Sequence, residues 1–202
     1  MSNPPITHLL YLHGFRSSPQ STKARKIASL VQTKFPNLVW WCPQLPPSPK
    51  EAMALVQAGI AHWPKASMGL IGSSLGGYYG SWVAEQTGCR AVLLNPGVHA
   101  MRDLAGYVGE HTAWHDTNST LEFKADYVGE LAAWACNRPL QPSHYFAVIA
   151  KGDEVLDWRE MVDRYPGATV KLLEQSDHAL SDFEDHMEEI LSFLKISESP
   201  RA

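Results

Sequence analysis

The chain has 202 residues, 45% hydrophobic and 19% charged, enough to bury the core of a single globular domain over 1–202 and too apolar for a disordered chain. A net charge of −4 and a pI near 6.1 argue against a general nucleic-acid or anionic-membrane partner, and no apolar run reaches the length of a membrane span. The three cysteines (Cys42, Cys89 and Cys136) form no Cys-x-x-Cys pair and no basic, apolar leader opens the chain, so we expect reduced thiols and a cytoplasmic location.

In chain order, His8–Leu12 reads as the first strand, and His13-Gly14-Phe15 follows it. Leu38–Trp41 is the second strand, and the proline-rich stretch 42–49 stiffens the loop behind it. Ser48-Pro49-Lys50-Glu51 carries a serine cap, a first-turn proline and a third-position glutamate, and Met53, Val56, Ile60 and Trp63 then recur at helical spacing. Met68–Ile71 is the third strand, Tyr78–Thr87 a helix closed by Gly88, and Ala91–Leu94 the fourth strand. About fifty residues then separate this strand from the next, Tyr145–Ala150, far more than a normal connection. We read 97–144 as a partly helical, lid-like insertion over the reactive face. Val170–Leu173 is the last strand, and Ser181-Asp182-Phe183-Glu184 reads as a capping box opening a final helix. That helix has the apolar stripe Phe183, Met187, Ile190, Leu191 and Leu194. The alternation predicts an α/β fold: a mostly parallel sheet of about six strands with helices on both faces.

The chemistry concentrates around Gly72-Ser73-Ser74-Leu75-Gly76-Gly77. Gly-x-Ser-x-Gly between a strand and a helix is the nucleophile elbow, in which the residues two before and two after the serine are small because strand and helix nearly touch. Ser74 meets that rule; Ser73, flanked at the same spacing by Ile71 and Leu75, does not. No Lys-Ser or Lys-Thr follows the glycines, which excludes a phosphate loop.

Reactive groups of an open α/β sheet gather at the carboxyl ends of its strands. After the first strand, Gly14 lets the backbone turn so that the Phe15 amide, with the Leu75 amide, forms an oxyanion hole; His13 orients that loop. Of nine histidines, His178 lies in the loop after the last strand, within reach of the serine, and serves as general base. His186 falls inside the final helix, where it is expected to be solvated. His111 and His115 share a helical face in the insertion but have no obvious third ligand, so no metal is expected. The acid follows the strand Tyr145–Ala150, where Asp153 comes directly after Gly152. Asp157 is its rival and equally suits a helix cap. The position after the fourth strand offers only Asn95-Pro96, without a carboxylate. Phe15, Tyr78 and Trp114 suit either an apolar acyl pocket or plain core and lid packing.

These residues give the chain a resemblance to the α/β-hydrolase superfamily, and more closely to the YqiA-type small bacterial esterases. The likeness rests on Leu10–Phe15, Pro43–Pro47, Gly72–Tyr79, Asn95-Pro96, Gly152–Asp157, His178-Ala179 and Phe183–Asp185. It implies a serine hydrolase that cleaves carboxylic esters or thioesters, acyl-CoA among them, through Ser74, Asp153 and His178. No cofactor is expected, the partner is a small-molecule substrate, and a monomer fits. Two other readings stay open: a catalytically silent hydrolase-fold binding protein, and a peptidase acting on small amides.

Overall fold

Six parallel strands form the central sheet in a computed structural model that describes residues 4–113 and 120–196. They are β1 (His8–Leu12), β2 (Val39–Trp41), β3 (Met68–Ser73), β4 (Arg90–Leu94), β7 (Tyr145–Ala150) and β8 (Thr169–Leu173), in the order β2-β1-β3-β4-β7-β8. All six match strands expected from the sequence. The order reverses between β1 and β3, and a crevice opens at such a switch point beyond the carboxyl ends of the strands.

Continuous apolar runs suit strands buried on both faces. In β7, Tyr145, Ala147 and Ile149 point into one core, and Phe146, Val148 and Ala150 point into the other. The first core is closed by α2 (Pro49–Ile60), α3 (Leu75–Thr87) and α6 (Trp158–Arg164); the second by α1 (Thr22–Lys34) and α7 (Met187–Leu194). Ile27, Ile190 and Leu194 are fully buried on the second face, each contributing roughly 1.5–3 kcal/mol of apolar burial.

Side-chain caps open α2 and α6. Ser48 Oγ accepts from Glu51 N at 3.2 Å and Pro49 opens α2, as expected. The capping box expected at Ser181 does not form. Ser181 donates its amide to Asp177 Oδ1 at 2.9 Å and its hydroxyl to Asp177 Oδ2 at 2.6 Å. The chain passes through a 3-10 turn at Phe183–His186, and α7 begins only at Met187. The apolar stripe survives, with Phe183, Ile190 and Leu194 buried.

Between β4 and β7 lie α4 (Ala100–Leu104), the strands β5 (Gly109–Thr112) and β6 (Thr120–Phe123), and α5 (Ala125–Glu130). The strands pair antiparallel, and His111 stands on a strand rather than on a helix. Several bonds tie this segment to the body of the protein. Tyr78 Oη donates to Leu131 O at 2.8 Å, Arg16 Nε donates to Thr112 O at 2.8 Å, and the Glu130 carboxylate accepts from Ser48 Oγ and Lys50 N at 2.7 and 2.9 Å. Phe123 and Leu131 are fully buried in the first core. No described helix is long and apolar enough to cross a membrane.

Candidate active site

The turn between β3 and α3 carries Ser74 at φ 55° and ψ −120°, a conformation that non-glycine residues rarely adopt. Ser74 N donates to Leu94 O at 3.0 Å, and Ser74 O accepts from Gly77 N at 2.8 Å and Gly97 N at 2.9 Å. These bonds hold the strained turn. Its small flanks are sterically required. A Cβ on Gly72 would lie 2.4 Å from Gly76 O, and one on Gly76 would lie 2.0 Å from Leu12 O. The helix starts at Leu75, three residues earlier than its apolar pattern suggests, because the Ser74 backbone turns the chain directly into it.

His178 reaches this turn from the loop after β8. Its Nε2 lies 3.1 Å from Ser74 Oγ, and its Nδ1 lies 2.7 Å from Asp153 Oδ2. An ionised carboxylate only accepts, so Nδ1 carries the proton and Nε2 presents its lone pair to the serine hydroxyl. The Asp153 side chain is fully shielded from solvent, and its other oxygen accepts from Val155 N and Leu156 N, each at 2.8 Å. Three donors thus compensate the buried charge. Asp157 stands apart from this group: it caps α6, accepting from Arg159 N at 2.9 Å.

The loop after β1 runs beside the serine. A Cβ on Gly14 would lie 3.1 Å from Ser74 Cβ and 3.6 Å from Ser74 Oγ. His13 is buried; its Nε2 accepts from Leu45 N at 3.1 Å, so its Nδ1 donates to Gly14 O at 2.9 Å. The imidazole therefore splints this loop to the proline-rich segment. The Leu75 amide opens α3, among the helix amides that have no partner within the helix.

The comparisons with known proteins agree with this architecture. The sequence profile of the uncharacterised protein family UPF0227 matches residues 8–195, from β1 to the residue after α7. The chain belongs to that family. Among solved structures, α/β-hydrolase domain-containing protein 10 from mouse superposes with a TM-score of 0.69 at 14% identity, over 93% of this chain and 90% of that one. A structure from the metagenome-derived lipolytic enzymes LipS and LipT gives 0.66 at 17% identity, over 96% of both chains. Est1E from Butyrivibrio proteoclasticus, bound to ferulic acid, gives 0.65 at 13% identity, over 96% of this chain and 88% of that one. These likenesses make the fold that of the α/β hydrolases.

The UPF0227 chain arranges the expected pocket residues unevenly. Phe15 meets Tyr107, His111 and Phe123 edge-on, with ring centroids 5.1–5.8 Å apart, so its ring packs against the β5–β6 hairpin. Tyr78 is 5% exposed and spends its hydroxyl on Leu131 O, which makes it a packing residue beneath the insertion. Trp114 and His115 lie outside the described residues. His111 accounts for its own ring by a 2.6 Å bond to Tyr107 O. His186, expected in solvent, is buried in the turn before α7, with Nε2 3.2 Å from Asp182 Oδ2.

Three neighbours of His178 escaped the reading of the sequence. Asn95 is buried beneath its loop, Lys23 reaches it from α1, and Glu154 Oε2 accepts the His178 amide at 3.1 Å. Burial lowers the Lys23 ammonium to about 8, against the pull of Asp177 and Asp153. Only Asn95 left a trace in the sequence. Asparagine tolerates positive φ, and at φ 41° it occupies the carboxyl end of β4, where reactive groups collect.

Proposed function

We propose that this protein is a serine hydrolase that cleaves carboxylic esters or thioesters of small molecules through an acyl-enzyme intermediate. The observation that carries the reading is the hydrogen-bond chain Asp153–His178–Ser74, with spans of 2.7 and 3.1 Å, at the switch point of the sheet. Nucleophile and base stand within hydrogen-bond reach, and a shielded carboxylate orients the base, which is the arrangement acyl transfer requires. Fold neighbours whose names record lipolytic activity or bound ferulic acid support the same class.

His178 Nε2 removes the Ser74 proton as Oγ attacks the carbonyl carbon. Negative charge collects on the carbonyl oxygen, where the Phe15 and Leu75 amides receive it; each such donor is worth about 3–4 kcal/mol in related chemistry. The imidazolium is stabilised by Asp153 and passes its proton to the departing alcohol or thiol. Water then attacks the acyl carbon as His178 takes its proton; the bond to Ser74 Oγ breaks, His178 returns the proton to Oγ, and the acyl group leaves as a carboxylic acid. Thioesters such as acyl-CoA fit the same steps, since only the leaving atom changes.

Fluorophosphonate labelling with mass-spectrometric mapping tests the reading, followed by a panel of p-nitrophenyl esters, acyl-CoA thioesters and small amides. We expect adduct on Ser74, and ester or thioester turnover that falls on the order of 10⁴-fold or more in Ser74→Ala. A folded wild-type protein that takes no label and turns over none of the panel would overturn the reading in favour of a binding scaffold. Turnover confined to the amides would make it a peptidase.

A further inference from the structure

Three consecutive carbonyls in the loop bearing His178 are each held by a side chain from outside that loop. Asn95 Nδ2 donates to Asp177 O at 2.9 Å and to His178 O at 3.2 Å. Lys23 Nζ donates to Ala179 O. On its other side, Asn95 Oδ1 accepts from Ala150 N at 2.7 Å, at the last residue of β7, three residues before Asp153. The Asn95 backbone amide donates to Val148 O at 3.0 Å, and the residue before it, Leu94, accepts from Ser74 N at 3.0 Å. One buried side chain, 1% exposed, thus bridges the strand that leads to Asp153 and the loop that carries His178, directly beside the turn that bears Ser74.

We propose that Asn95 and Lys23 are positioning residues that clamp the His178 loop and hold its imidazole in line between Ser74 and Asp153. The inference rests on the serine-hydrolase reading above and adds two residues to it. Neither side chain bonds the reacting hydroxyl or the imidazole; both act through main-chain carbonyls.

The chemistry at Asn95 is specific. The site needs one acceptor facing the Ala150 amide and a two-hydrogen donor facing two carbonyls, and a carboxamide of this length supplies both. An ionised aspartate there would oppose its charge to two carbonyl oxygens. It would also put a second carboxylate near the base. The strained φ of 41° keeps the carboxamide turned toward the loop, a geometry that surrounding bonds must enforce. The case at Lys23 is one of charge. Its ammonium bears a desolvation penalty, visible as the lowering to about 8, yet it stays on Ala179 O beside Asp177 and Asp153. A stem of four methylenes could have carried the charge outward to water. A placement error near 1 Å at a catalytic group costs about 10²-fold in rate, so a loop held at three carbonyls has kinetic value.

The test uses full-length Asn95→Ala, Asn95→Asp and Lys23→Met. It measures kcat and KM on a p-nitrophenyl ester per fluorophosphonate-titrated site, melting temperature, and the downfield proton resonance of the His178 Nδ1–H···Asp153 bond. We expect N95A and N95D to lower kcat on the order of 10²-fold with KM within about twofold, and to broaden or shift the resonance. We expect K23M to lower kcat several-fold without lowering the melting temperature, because it removes a desolvated charge. If N95A does not fold, N95D, which matches asparagine in size and keeps the acceptor for Ala150 N, carries the test together with K23M. Unchanged kcat per titrated site and an unchanged resonance in the folded variants would overturn the clamp, whatever happens to their stability. A wild-type protein that neither labels nor hydrolyses would instead remove the hydrolase reading, while the resonance still reports whether the clamp holds the imidazole.

Discussion

Gly76 is pressed against the carbonyl of Leu12: a Cβ on residue 76 would lie 2.0 Å from that oxygen. The contact joins the first turn of α3 to the carboxyl end of β1, so the serine-bearing turn and the loop after β1 are built around one missing methyl group. The same Cβ would lie 2.7 Å from His13 O; both obstructing carbonyls are backbone, and neither can rotate away.

Gly76→Ala should therefore cost more than about 3 kcal/mol, above the usual penalty for overpacking, and abolish turnover in whatever fraction still folds. Urea unfolding followed by circular dichroism gives the first quantity and titrated-site kinetics the second. A variant as stable and active as wild type would mean that the elbow is looser than these distances allow.

The two aspartates near the end of β7 should separate cleanly. Asp153→Asn places an amide donor against His178 Nδ1 and favours the wrong tautomer, so kcat should fall on the order of 10⁴-fold with little loss of stability. Asp157→Ala removes the cap that accepts from Arg159 N at 2.9 Å; it should cost about 1 kcal/mol and leave kcat within twofold. Parallel kinetics and thermal melts on the pair decide the assignment, and equal kinetic effects would undo it.

Glu130 fastens the insertion to the start of α2, where its carboxylate meets Ser48 Oγ and Lys50 N at 2.7 and 2.9 Å. A negative charge at a helix N-terminus is favourable, and hydrogen bonds to charged groups are stronger than neutral ones. Glu130→Ala should lower stability by about 1–3 kcal/mol, and Glu130→Gln by less. Hydrogen exchange should rise first across 120–134. If exchange there matches wild type, this contact does not hold the insertion.

Two carboxylates near the His178 loop respond to acid. The Ser181 hydroxyl holds the Asp177 carboxyl below its ordinary range, opposed by slight burial. Burial pushes the Asp182 carboxyl up, but the bonds from Ser176 Oγ and His186 outweigh it and leave it lowered. Both groups thus bind protons more weakly folded than unfolded. Their stabilisation is complete above the unfolded value of about 3.9 and is lost as pH falls through the folded values. Melting temperature should fall below about pH 4, and Asp177→Asn should flatten that fall. An acid limb unchanged in the variant would place the linkage elsewhere.

Much of this protein was legible in its order of residues. Strands such as Tyr145–Ala150 are continuously apolar, and that pattern is local. The elbow is local too: Gly72, Ser74 and Gly76 lie within five residues, and their sizes alone say that strand and helix approach closely. His178 and Asp153 could be proposed because each follows a strand, and in a parallel sheet every strand delivers its carboxyl end to the same rim.

Tertiary structure decided whatever depends on which groups the folded loops bring together. Ser181 carries a capping pattern, yet the folded loop turns it onto Asp177 and the helix begins only at Met187. His186 looks exposed by helical position, yet the last turn tucks it beside Asp182. In the β5–β6 hairpin, Gly109–Thr112 carries no apolar residue, and Leu121 and Phe123 alone are too few to announce the second strand. Asn95 showed only the absence of a carboxylate; its bonds to residues 150, 177 and 178 exist because β4 and β7 are neighbours in the sheet and the loop after β8 folds back over them. Periodicity and residue size act over a few positions and can be read in one dimension. Hydrogen-bond competition and burial act across the packed interior, and only the folded chain settles them.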